Sequence, residues 1–456
     1  MGFMNEEEKD LKNIFSRFKK RDFAGTEGQA IKNSSYYLTT TLITKIGSLL
    51  FTIIVARLLM PELFGLYSLA LATIVLFSAF SDLGIGPAFT AYASESLGLK
   101  NPKKAKAYFT FLKKYKIYLL LLVSAILILS SYFVANVYYG KPIFFALLVG
   151  GIYIPIVGFT SFLTSAFQAN NNFKYPMIKE IIYQILRLAL VPVGILFLLK
   201  TSIEISILLA SIILILTFCY FIALIFMKIS LKSQVPFIKS PGEKLLDKDK
   251  INLRKFILPL TLTALSGVFF GYIDTIMIGH FVLGEFIGYY SAAFGLISSV
   301  AVIVGFAAGG LFPIFSRMQG KSLDKIFKKT KNITLPIAIL AAVVSFALSK
   351  FIIVLIYGPA YEPATLLFKL FSLIIIITPL TMIYDTYFIS RKRTAIIAKL
   401  LIATTVINII LNYVLITAGL KFGMLEAVMG ACIATIISRF LYMGGLMIFR
   451  KNGKKK

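Results

Sequence analysis

Long apolar runs recur along the chain from Tyr37 onwards, separated by short polar segments. Each run is close to the length of about 20 residues that a helix needs to cross the hydrocarbon core of a bilayer. The runs are continuously apolar rather than alternating, which favours transmembrane helices over a β-barrel. We predict an all-α polytopic membrane protein with twelve spans at residues 37–59, 63–80, 117–135, 143–167, 177–199, 203–227, 256–278, 286–312, 333–356, 364–389, 395–416 and 423–449.

The composition agrees with a membrane protein and excludes most soluble classes. Hydrophobic residues make up 58% of the 456 residues, and the mean hydropathy is +0.86. Soluble domains contain about 45–50% apolar residues, so the excess must face something other than water. The net charge of +28 would suggest a nucleic acid partner in a soluble protein. No polar segment here is long enough to fold as a domain, and we expect no nucleic acid binding.

Few residues are available for metal or redox chemistry. Cys219 and Cys432 are the only thiols, and both lie inside apolar runs. They provide neither a disulfide framework nor a cysteine-based metal site. His280 is the only histidine, which excludes a histidine cluster. The sequence predicts no metal, no cofactor and no catalytic residue.

Basic residues are segregated between the two sides of the predicted membrane. When Arg57, Lys179 and Lys350, which lie towards the ends of spans, are counted with the nearest connection, the N-terminal segment, the even-numbered connections and the C-terminal tail hold 38 Lys and Arg residues, whereas the odd-numbered connections hold 5. Because cytoplasmic loops are enriched in Lys and Arg, both termini are predicted to be cytoplasmic. A wrong number of spans would scramble this segregation, so the charges also support the count of twelve.

The segment before the first span is charged and carries an amphipathic pattern. Leu11, Ile14, Phe15 and Phe18 follow the spacing of one helix face, beside several basic residues. Such a helix would lie on the anionic inner leaflet. A solvated charged tail is the alternative, because three glutamates dilute the basic face.

The two halves of the chain resemble each other. PELFGLYSLA at 61–70 and GEFIGYYSAA at 284–293 share Glu, Gly, Tyr, Ser and Ala at one offset of 223 residues. VYYG at 137–140 and LIYG at 355–358 form a second pair, and a proline in the fourth and tenth spans forms a third. An offset near half the chain predicts two six-helix bundles inserted in the same orientation.

The repeat divides the chain into an ordered set of segments. These are a polar segment 1–34, an N-terminal bundle 35–227, a cytoplasmic linker 228–255, a C-terminal bundle 256–449 and a basic tail 450–456. The linker is too short for a nucleotide-binding domain, and no G-x-x-x-x-G-K-[ST] motif occurs, so ATP hydrolysis is not expected. Transporters with parallel repeats rock two bundles around a central cavity.

Six stretches from the first span to the twelfth have a recognisable order and spacing. They are ARLLMPELFGLYSLA (56–70), SDLGIGPAF (81–89), IDTIMIGHFVLGEFIGYYSAA (273–293), GLFPIFSRMQG (310–320), IYGPAYEPA (356–364) and LNYVLITAGLKFGMLEAVMGACIAT (411–435). Together they resemble the polysaccharide transporters, the O-antigen and lipid-linked oligosaccharide flippase branch of the MOP superfamily, which also includes the multidrug and toxin extrusion (MATE) proteins. The resemblance implies a MATE-like fold and translocation of a polyprenyl-linked sugar, usually powered by an ion gradient. Peptidoglycan-precursor flippases of the superfamily typically have two further helices, so twelve spans favour the oligosaccharide branch.

Such a cargo is anionic and rich in hydroxyls, so it needs a wet, basic cavity. An ionisable group within a span costs roughly 2.5–3.5 kcal/mol or more, so each one needs a reason. Arg187, Lys45 and Arg439 lie within spans and suit the binding of an anion. For Lys45 and Arg439 the alternative is snorkelling to the inner surface. Tyr183, Asn408 and Asn412 could bind sugar hydroxyls, although hydrogen bonds between helices explain them equally well.

Three acids also lie within or beside the spans. Asp274 is about one turn inside the outer end of the seventh span and is the candidate for ion coupling. The alternatives for Asp274 are a helix-end cap or the partner of a basic residue. Asp82 and Asp385 lie near inner ends, where we expect gating salt bridges to loop lysines.

These features predict a non-enzymatic flippase for a polyprenyl-(pyro)phosphate-linked oligosaccharide, working in cell-surface polysaccharide or glycoprotein synthesis. The expected location is the plasma membrane, and the expected partners are the lipid-linked oligosaccharide, membrane lipids and either H⁺ or Na⁺, with a monomer as the unit. The alternative is a MATE-like multidrug or organic-cation antiporter, which deep carboxylates would favour. A membrane enzyme is not expected, because the outer loops are short and the histidine is isolated.

Overall fold

The computed structural model describes residues 25–201, 203–309, 315, 320–391 and 393–452, and every element in these ranges is helical. The first half contains α1 (Gly25–Ala79), α2 (Ile85–Gly98), α3 (Pro102–Tyr132), α4 (Phe144–Ala169), α5 (Lys174–Leu199) and α6 (Ile205–Gln234). The second half contains α7 (Asp247–Phe281), α8 (Gly284–Gly309), α9 (Gly320–Ala347), α10 (Ser349–Tyr357), α11 (Ala364–Phe371), α12 (Ile374–Ser390), α13 (Thr394–Gly419) and α14 (Met424–Asn452). A π-helical turn (Phe133–Tyr139) follows α3, and short 3₁₀ turns (Pro236–Lys239 and Pro359–Tyr361) follow α6 and α10. The amphipathic segment predicted around Leu11 and Phe18 lies outside the described residues.

Helix α1 consists of two legs joined at a sharp bend. Lys32–Ala79 is an apolar segment of 48 residues, too long for one crossing of a core about 30 Å thick. Met60 interrupts the helix with φ 59° and ψ 169°, and Pro61 follows it without a backbone N–H. Ser48 and Val75 line the same cavity, although about 40 Å would separate them along a straight helix. The chain therefore folds back at Met60, where the first predicted connection lies.

Eleven described segments are long and apolar enough to cross a membrane, with the bent α1 taken as one. The tenth predicted span is broken between α11 and α12, where the Ser372 hydroxyl donates to the carbonyl of Lys369 at 2.7 Å. Such bonds compete with the helical backbone ladder and favour a local break. The ninth predicted span is likewise divided between α9 and α10 at Leu348. The layout of twelve spans in two bundles, with both termini cytoplasmic, stays a prediction.

The linker packs against the first half of the chain. Phe237 in the 3₁₀ turn after α6 lies 6.5 Å, between ring centroids, from both Phe89 of α2 and Phe109 of α3. Phe162 of α4 completes the cluster at 5.4 Å from Phe89. Aromatic rings at these separations attract each other beyond the gain from their burial. The linker is therefore fixed to the N-terminal half by buried apolar residues, which include Val235, Phe237 and Leu245.

The repeated motif forms the contact between the two halves. Gly65 of α1 packs against the backbone of Gly284 and Gly288 in α8, and Gly288 packs against the carbonyl of Pro61. A Cβ atom at Gly65 or Gly288 would overlap these backbone atoms. Glycine is thus required at both positions because the two helices approach backbone to backbone. The equivalent glycines of the two motifs contact each other's motif, an arrangement with approximate two-fold symmetry.

Further contacts join the halves at the same end of the molecule. The Arg57 Nε–H donates to the carbonyl of Ile356 at 2.6 Å, and the Tyr361 hydroxyl donates to the carbonyl of Ala56 at 2.8 Å. These residues belong to, or lie beside, connections predicted on the outer side. We call this set, together with Gly65 and its α8 contacts, the outer closure.

Candidate functional site

A cavity of about 620 Å³ lies between the two halves of the chain. It is bounded by α1, α4, α5 and α6 on one side and by α7, α8, α12 and α14 on the other. Arg187 and Arg439 supply its charges, and none of the described residues that line it is Asp or Glu. Twelve lining side chains carry hydroxyls: Ser48, Thr52, Tyr67, Ser68, Tyr153, Tyr183, Tyr220, Tyr272, Thr275, Ser291, Ser298 and Thr378. We call it the central cavity.

Arg187 is held in place by neutral side chains. Its guanidinium donates to Gln184 Oε1 at 2.8 Å and, across to α1, to Ser48 Oγ at 2.9 Å. Its Cζ atom lies 4.6 Å from the ring centroid of Phe51 and 5.0 Å from that of Tyr183. Cation–π contacts of this kind stabilise a guanidinium without neutralising it. Arg187 is therefore oriented by neighbours that are neutral.

An ion pair lies behind Arg187 on the same helix. Glu180, Gln184 and Arg187 are spaced so that they share one face of α5. Lys179 Nζ lies 2.9 Å from Glu180 Oε2, and Gln184 donates to Glu180 Oε1 at 2.8 Å. Lys179 thus compensates the charge of Glu180, and the neutral amide of Gln184 separates that carboxylate from Arg187.

Arg439 is the second charge of the central cavity, and it has no polar partner among the described residues. Its Nε atom is buried without a hydrogen bond. Its Cζ atom lies 5.3 Å from the ring centroid of Phe270 and 5.4 Å from that of Phe294. A charge in such surroundings is costly unless it is paired. Asp274 attracts the guanidinium only over a longer distance, without a direct ion pair, so hydrogen-bond donors of Arg439 remain available for an anionic ligand.

Two of the three predicted basic residues line the central cavity, and the third does not. Lys45 lies on α1 among exposed side chains and is not part of the cavity lining. The alternative of snorkelling suits this placement. Tyr183 does line the cavity, with its ring centroid 3.8 Å from that of Tyr220.

Asp274 lies in a separate polar cluster between α7, α8, α13 and α14. Its side chain is almost fully buried, at 2% exposure. Tyr290 and Thr435 donate to Oδ2 at 3.0 and 2.6 Å, and the amide of Asn412 donates to Oδ1 at 2.6 Å. All three partners are neutral, and no Lys or Arg in the described ranges pairs with this carboxylate. Of the two predicted alternatives, a basic partner is present only at longer range, because Arg439 attracts this carboxylate without a direct ion pair.

Asn408 and Asn412 belong to this cluster rather than to the central cavity. The Asn412 amide donates to the carbonyl of Asn408 on its own helix at 3.0 Å, whereas its bond to Asp274 of α7 is the hydrogen bond between helices that was the predicted alternative. The side-chain Oδ1 atoms of both residues are buried and lack partners within the part of the chain described. The hydroxyl oxygens of Tyr290 and Thr435 lie within hydrogen-bond distance of the buried carboxylate of Asp274. Oxygen sets of this kind bind hard cations.

The two predicted gating residues have different partners. Lys116 Nζ lies 2.7 Å from Asp82 Oδ1 and also donates to the carbonyl of Ser81 at 2.9 Å. The predicted second connection includes Lys116, so the salt bridge expected at Asp82 is present, although Lys116 is a buried residue of α3 rather than part of a loop. Asp385 accepts a hydrogen bond from the hydroxyl of Tyr442 at 2.8 Å, which links α12 to α14. No lysine among the described residues contacts Asp385, so the expected salt bridge is not observed there.

Sequence reasoning missed several residues of both sites. Ser48 and Gln184 orient Arg187, and Thr435 binds Asp274, yet a lone polar residue within an apolar span is a weak signal. Tyr67 lines the central cavity with a buried hydroxyl that has no partner in the described ranges. Tyr67 and Tyr290 are equivalent residues of the repeat, offset by 223 positions. The repeat could therefore have pointed to both tyrosines.

Comparison with known proteins connects this geometry to a fold and a family. Residues 30–319 match the family model of polysaccharide biosynthesis proteins. The chain is similar to a lipid II flippase, MurJ, in an inward closed conformation, with 19% identity and a TM-score of 0.64 over 88% of this chain and 85% of that one. No curated protein matches the chain in sequence.

Two structures of multidrug resistance MATE family transporters of the MOP superfamily are also similar. The inward-facing one has 12% identity and a TM-score of 0.66, covering 92% of this chain and 99% of that one. The outward-facing one has 14% identity and a TM-score of 0.54, covering 94% of this chain and 96% of that one. At these identities the likeness establishes the fold.

Proposed function

This chain belongs to the polysaccharide biosynthesis protein family, and on that premise we propose that it is a flippase. Its cargo is a polyprenyl-(pyro)phosphate-linked oligosaccharide, moved from the inner to the outer leaflet for synthesis of cell-surface polysaccharide or glycoprotein. The observation that carries the proposal is the chemistry of the central cavity. It combines two arginines and twelve hydroxyl side chains with no described carboxylate.

Each part of such a cargo has a counterpart in the cavity. Guanidinium groups bind phosphate oxygens with paired, directional hydrogen bonds. The hydroxyls of Tyr, Ser and Thr residues can donate to and accept from a glycan. An organic cation would instead meet two positive charges, which argues against the antiporter alternative. A lipid II flippase among the similar structures supports a lipid-linked cargo.

Alternating access would supply the movement. Gly65 of α1 and Gly288 of α8 pack together in the outer closure, so the halves are joined at the end of the molecule predicted to face outwards. Transport then requires α1 and α8 to separate at the outer closure while the opposite end closes.

Asp274 is the proposed ion-coupling residue, with H⁺ or Na⁺ as its ligand. A cation at this carboxylate would compete with the hydrogen bonds from Tyr290, Thr435 and Asn412. Tyr290 is two residues from Gly288, which forms the outer closure. Cation binding would therefore act on α8, the helix that joins the two halves. In this way the ion could change how α1 and α8 pack at the outer closure.

Depletion of the protein in its own cells tests the proposal. The amount of each lipid-linked glycan would be measured, together with its accessibility to a membrane-impermeant oxidant in intact spheroplasts. We expect one species to accumulate in a shielded form, which also identifies the cargo. Re-expression of the wild-type chain should restore exposure, and so should Lys45→Ala, which removes an intramembrane charge outside the central cavity. An unchanged and normally exposed glycan pool would contradict the proposal and favour the antiporter, which a dye-efflux assay would then examine.

A further inference from the structure

A second cavity lies within the C-terminal half and shares two lining residues with the central cavity. It has a volume of about 300 Å³ and is bounded by α7, α12, α13 and α14. Arg439 and Thr378 line both cavities, so they mark the junction between them. We call this second space the side cavity. Its volume is at the lower end of those that hold small ligands.

The walls of the side cavity are chemically unlike those of the central one. Apolar side chains from all three of α7, α12 and α13 line it, including Phe270, Ile377, Met382, Ile397 and Leu401. The central cavity, in contrast, is rich in hydroxyls. A ligand that occupied both spaces would have to be polar at one end and apolar at the other.

The junction offers unused hydrogen-bond donors. Arg439 Nε and Thr378 Oγ1 are both buried and have no partner among the described residues. Buried polar groups are rarely left unpaired, because each costs roughly 1–3 kcal/mol. An anionic group at the junction would satisfy both. This distinguishes Arg439 from Arg187, whose guanidinium already has partners in the protein.

The side cavity runs from this junction towards the predicted inner leaflet. Along α12 the lining residues are Thr378 at the junction, then Asp385, then Ile389 near the end of the helix. Ile389 is 46% exposed, so it lies at the mouth of the cavity. Asp385 lies about 10 Å along the helix axis from Thr378, so its carboxylate is away from the junction. It accepts from Tyr442, which further reduces its effect on an anion at Arg439.

We propose that the side cavity binds the first isoprene units of a polyprenyl diphosphate, with the adjoining phosphate at Arg439 and the glycan in the central cavity. This placement rests on the proposed flippase function and adds a lipid-specific subsite to it. The prenyl chain leaves past Ile389 into the leaflet where the lipid-linked cargo is made. Recognition of a branched, unsaturated chain next to the phosphate distinguishes the cargo from abundant phospholipids, which carry phosphates of their own.

Photo-crosslinking tests this assignment without requiring transport. The probe is geranylgeranyl diphosphate with a diazirine on the isoprene unit next to the diphosphate, added to the full-length protein in lipid nanodiscs. Mass spectrometry would map the labelled residues. We expect label on Met382, Ile397 and Leu401, and a loss of this label of about tenfold or more in Arg439→Gln, with a smaller loss in Arg439→Lys.

Two tryptophan variants on neighbouring residues of α13 provide the matched control. Leu401 lines the side cavity, whereas Ile402 does not line it and is 37% exposed. Leu401→Trp should fill the cavity and abolish the label, and Ile402→Trp should leave it unchanged. Both variants should elute as a single folded species, and label in Ile402→Trp shows that tryptophan at this depth is tolerated.

The outcomes separate this subsite from the flippase function. Label confined to lipid-facing residues such as Ile402, or equal loss in both tryptophan variants, overturns the side-cavity assignment. Equal competition by phosphatidic acid also overturns it, because the site would then recognise any lipid phosphate. Cavity label in a protein that fails to expose lipid-linked glycans would instead retain the subsite and reject the flippase.

Discussion

Arg187 in the N-terminal half and Asp274 in the C-terminal half are residues of opposite charge, yet their surroundings are alike. Each is buried, and each is oriented by neutral partners: Gln184 and Ser48 for the arginine, and Tyr290, Thr435 and Asn412 for the aspartate. The two side chains differ in whether they are open to the central cavity. Arg187 lines the central cavity, whereas Asp274 lies outside it among four helices.

This comparison indicates what the two charges are for. A structural ion pair within the membrane would match each charge with its opposite, as Lys116 does for Asp82. Arg187 and Asp274 instead have no direct ion-pair partner among the described residues, although Arg439 attracts Asp274 over a longer distance, so each can interact with a mobile ion of opposite sign. The arginine then serves an anionic cargo that enters the cavity, and the aspartate serves a small cation that can reach a narrower site.

The largest expected effect comes from removal of the arginine. Arg187→Ala should reduce flipping by about 100-fold or more, because the cargo loses a desolvated, charge-assisted contact. Arg187→Lys should retain part of the activity, since the charge remains but the planar fork is lost. The measurement is flipping in proteoliposomes at matched protein levels, with Lys45→Ala as a control that should behave like wild type. Normal flipping by Arg187→Ala would remove this residue from the proposed cargo site.

Asp274→Asn tests the other side of the comparison. The amide keeps the size of the side chain but removes the charge, so transport should fall by about tenfold and lose its dependence on the driving ion. Cargo binding, measured by crosslinking or affinity without a gradient, should remain close to wild type. Variation of pH and of Na⁺ in separate experiments identifies the ion. Loss of cargo binding with ion dependence intact would mean that the roles assigned to the two charges are wrong.

Gln184→Glu would break the neutral environment of Arg187. The new carboxylate would pair with the guanidinium and compete with the anionic cargo, so the apparent affinity for cargo should fall by about tenfold. Gln184→Leu removes the contact but adds no charge, and its effect should be smaller. Transport rates over a range of cargo concentrations distinguish the two variants. Equal affinities in Gln184→Glu and wild type would show that the free charge on Arg187 is not what the cargo recognises.

The smallest effect is expected at Thr435. Thr435→Val removes one of the three hydrogen bonds to Asp274 and keeps the shape of the side chain. Loss of a single such bond corresponds to about 1 kcal/mol, or roughly a fivefold change in apparent ion affinity. Thr404→Val, which removes a buried hydroxyl bonded only to backbone carbonyls of its own helix, is the control and should leave ion affinity unchanged. An unaltered ion response in Thr435→Val would place the ion elsewhere.

Much of the fold follows from local sequence patterns. Continuous apolar runs predict helices because each must satisfy its own backbone in lipid, and the described structure is helical throughout. The bend at Met60 falls in the connection predicted at residues 60–62, between the first two spans, where Pro61 and Glu62 interrupt the apolar run. The break between α11 and α12 was not predicted. The sequence there is apolar, and a single serine does not reveal that its hydroxyl bonds to the backbone.

The candidate site was only partly predictable. Charges within apolar spans identified Arg187, Arg439 and Asp274, since such residues are costly and need a reason. The sequence could not show that Lys45 lies outside the central cavity, or that Asn412 bonds to Asp274, because both facts depend on how the helices are rotated against each other. The repeat also relates Tyr67 to Tyr290, and this relation could have been used to predict both as site residues. Tyr67 lines the central cavity, and Tyr290 bonds to Asp274.

Flipping by the purified protein tests the central claim most directly. Proteoliposomes would contain a lipid-linked oligosaccharide in both leaflets, and a membrane-impermeant glycosidase outside would digest the exposed pool. With wild-type protein and an ion gradient, we predict that digestion proceeds beyond the outward-facing pool towards completion, and that Arg187→Ala stops at that pool. Digestion that stops at the outward-facing pool with sealed, active, correctly folded wild-type protein would contradict the account.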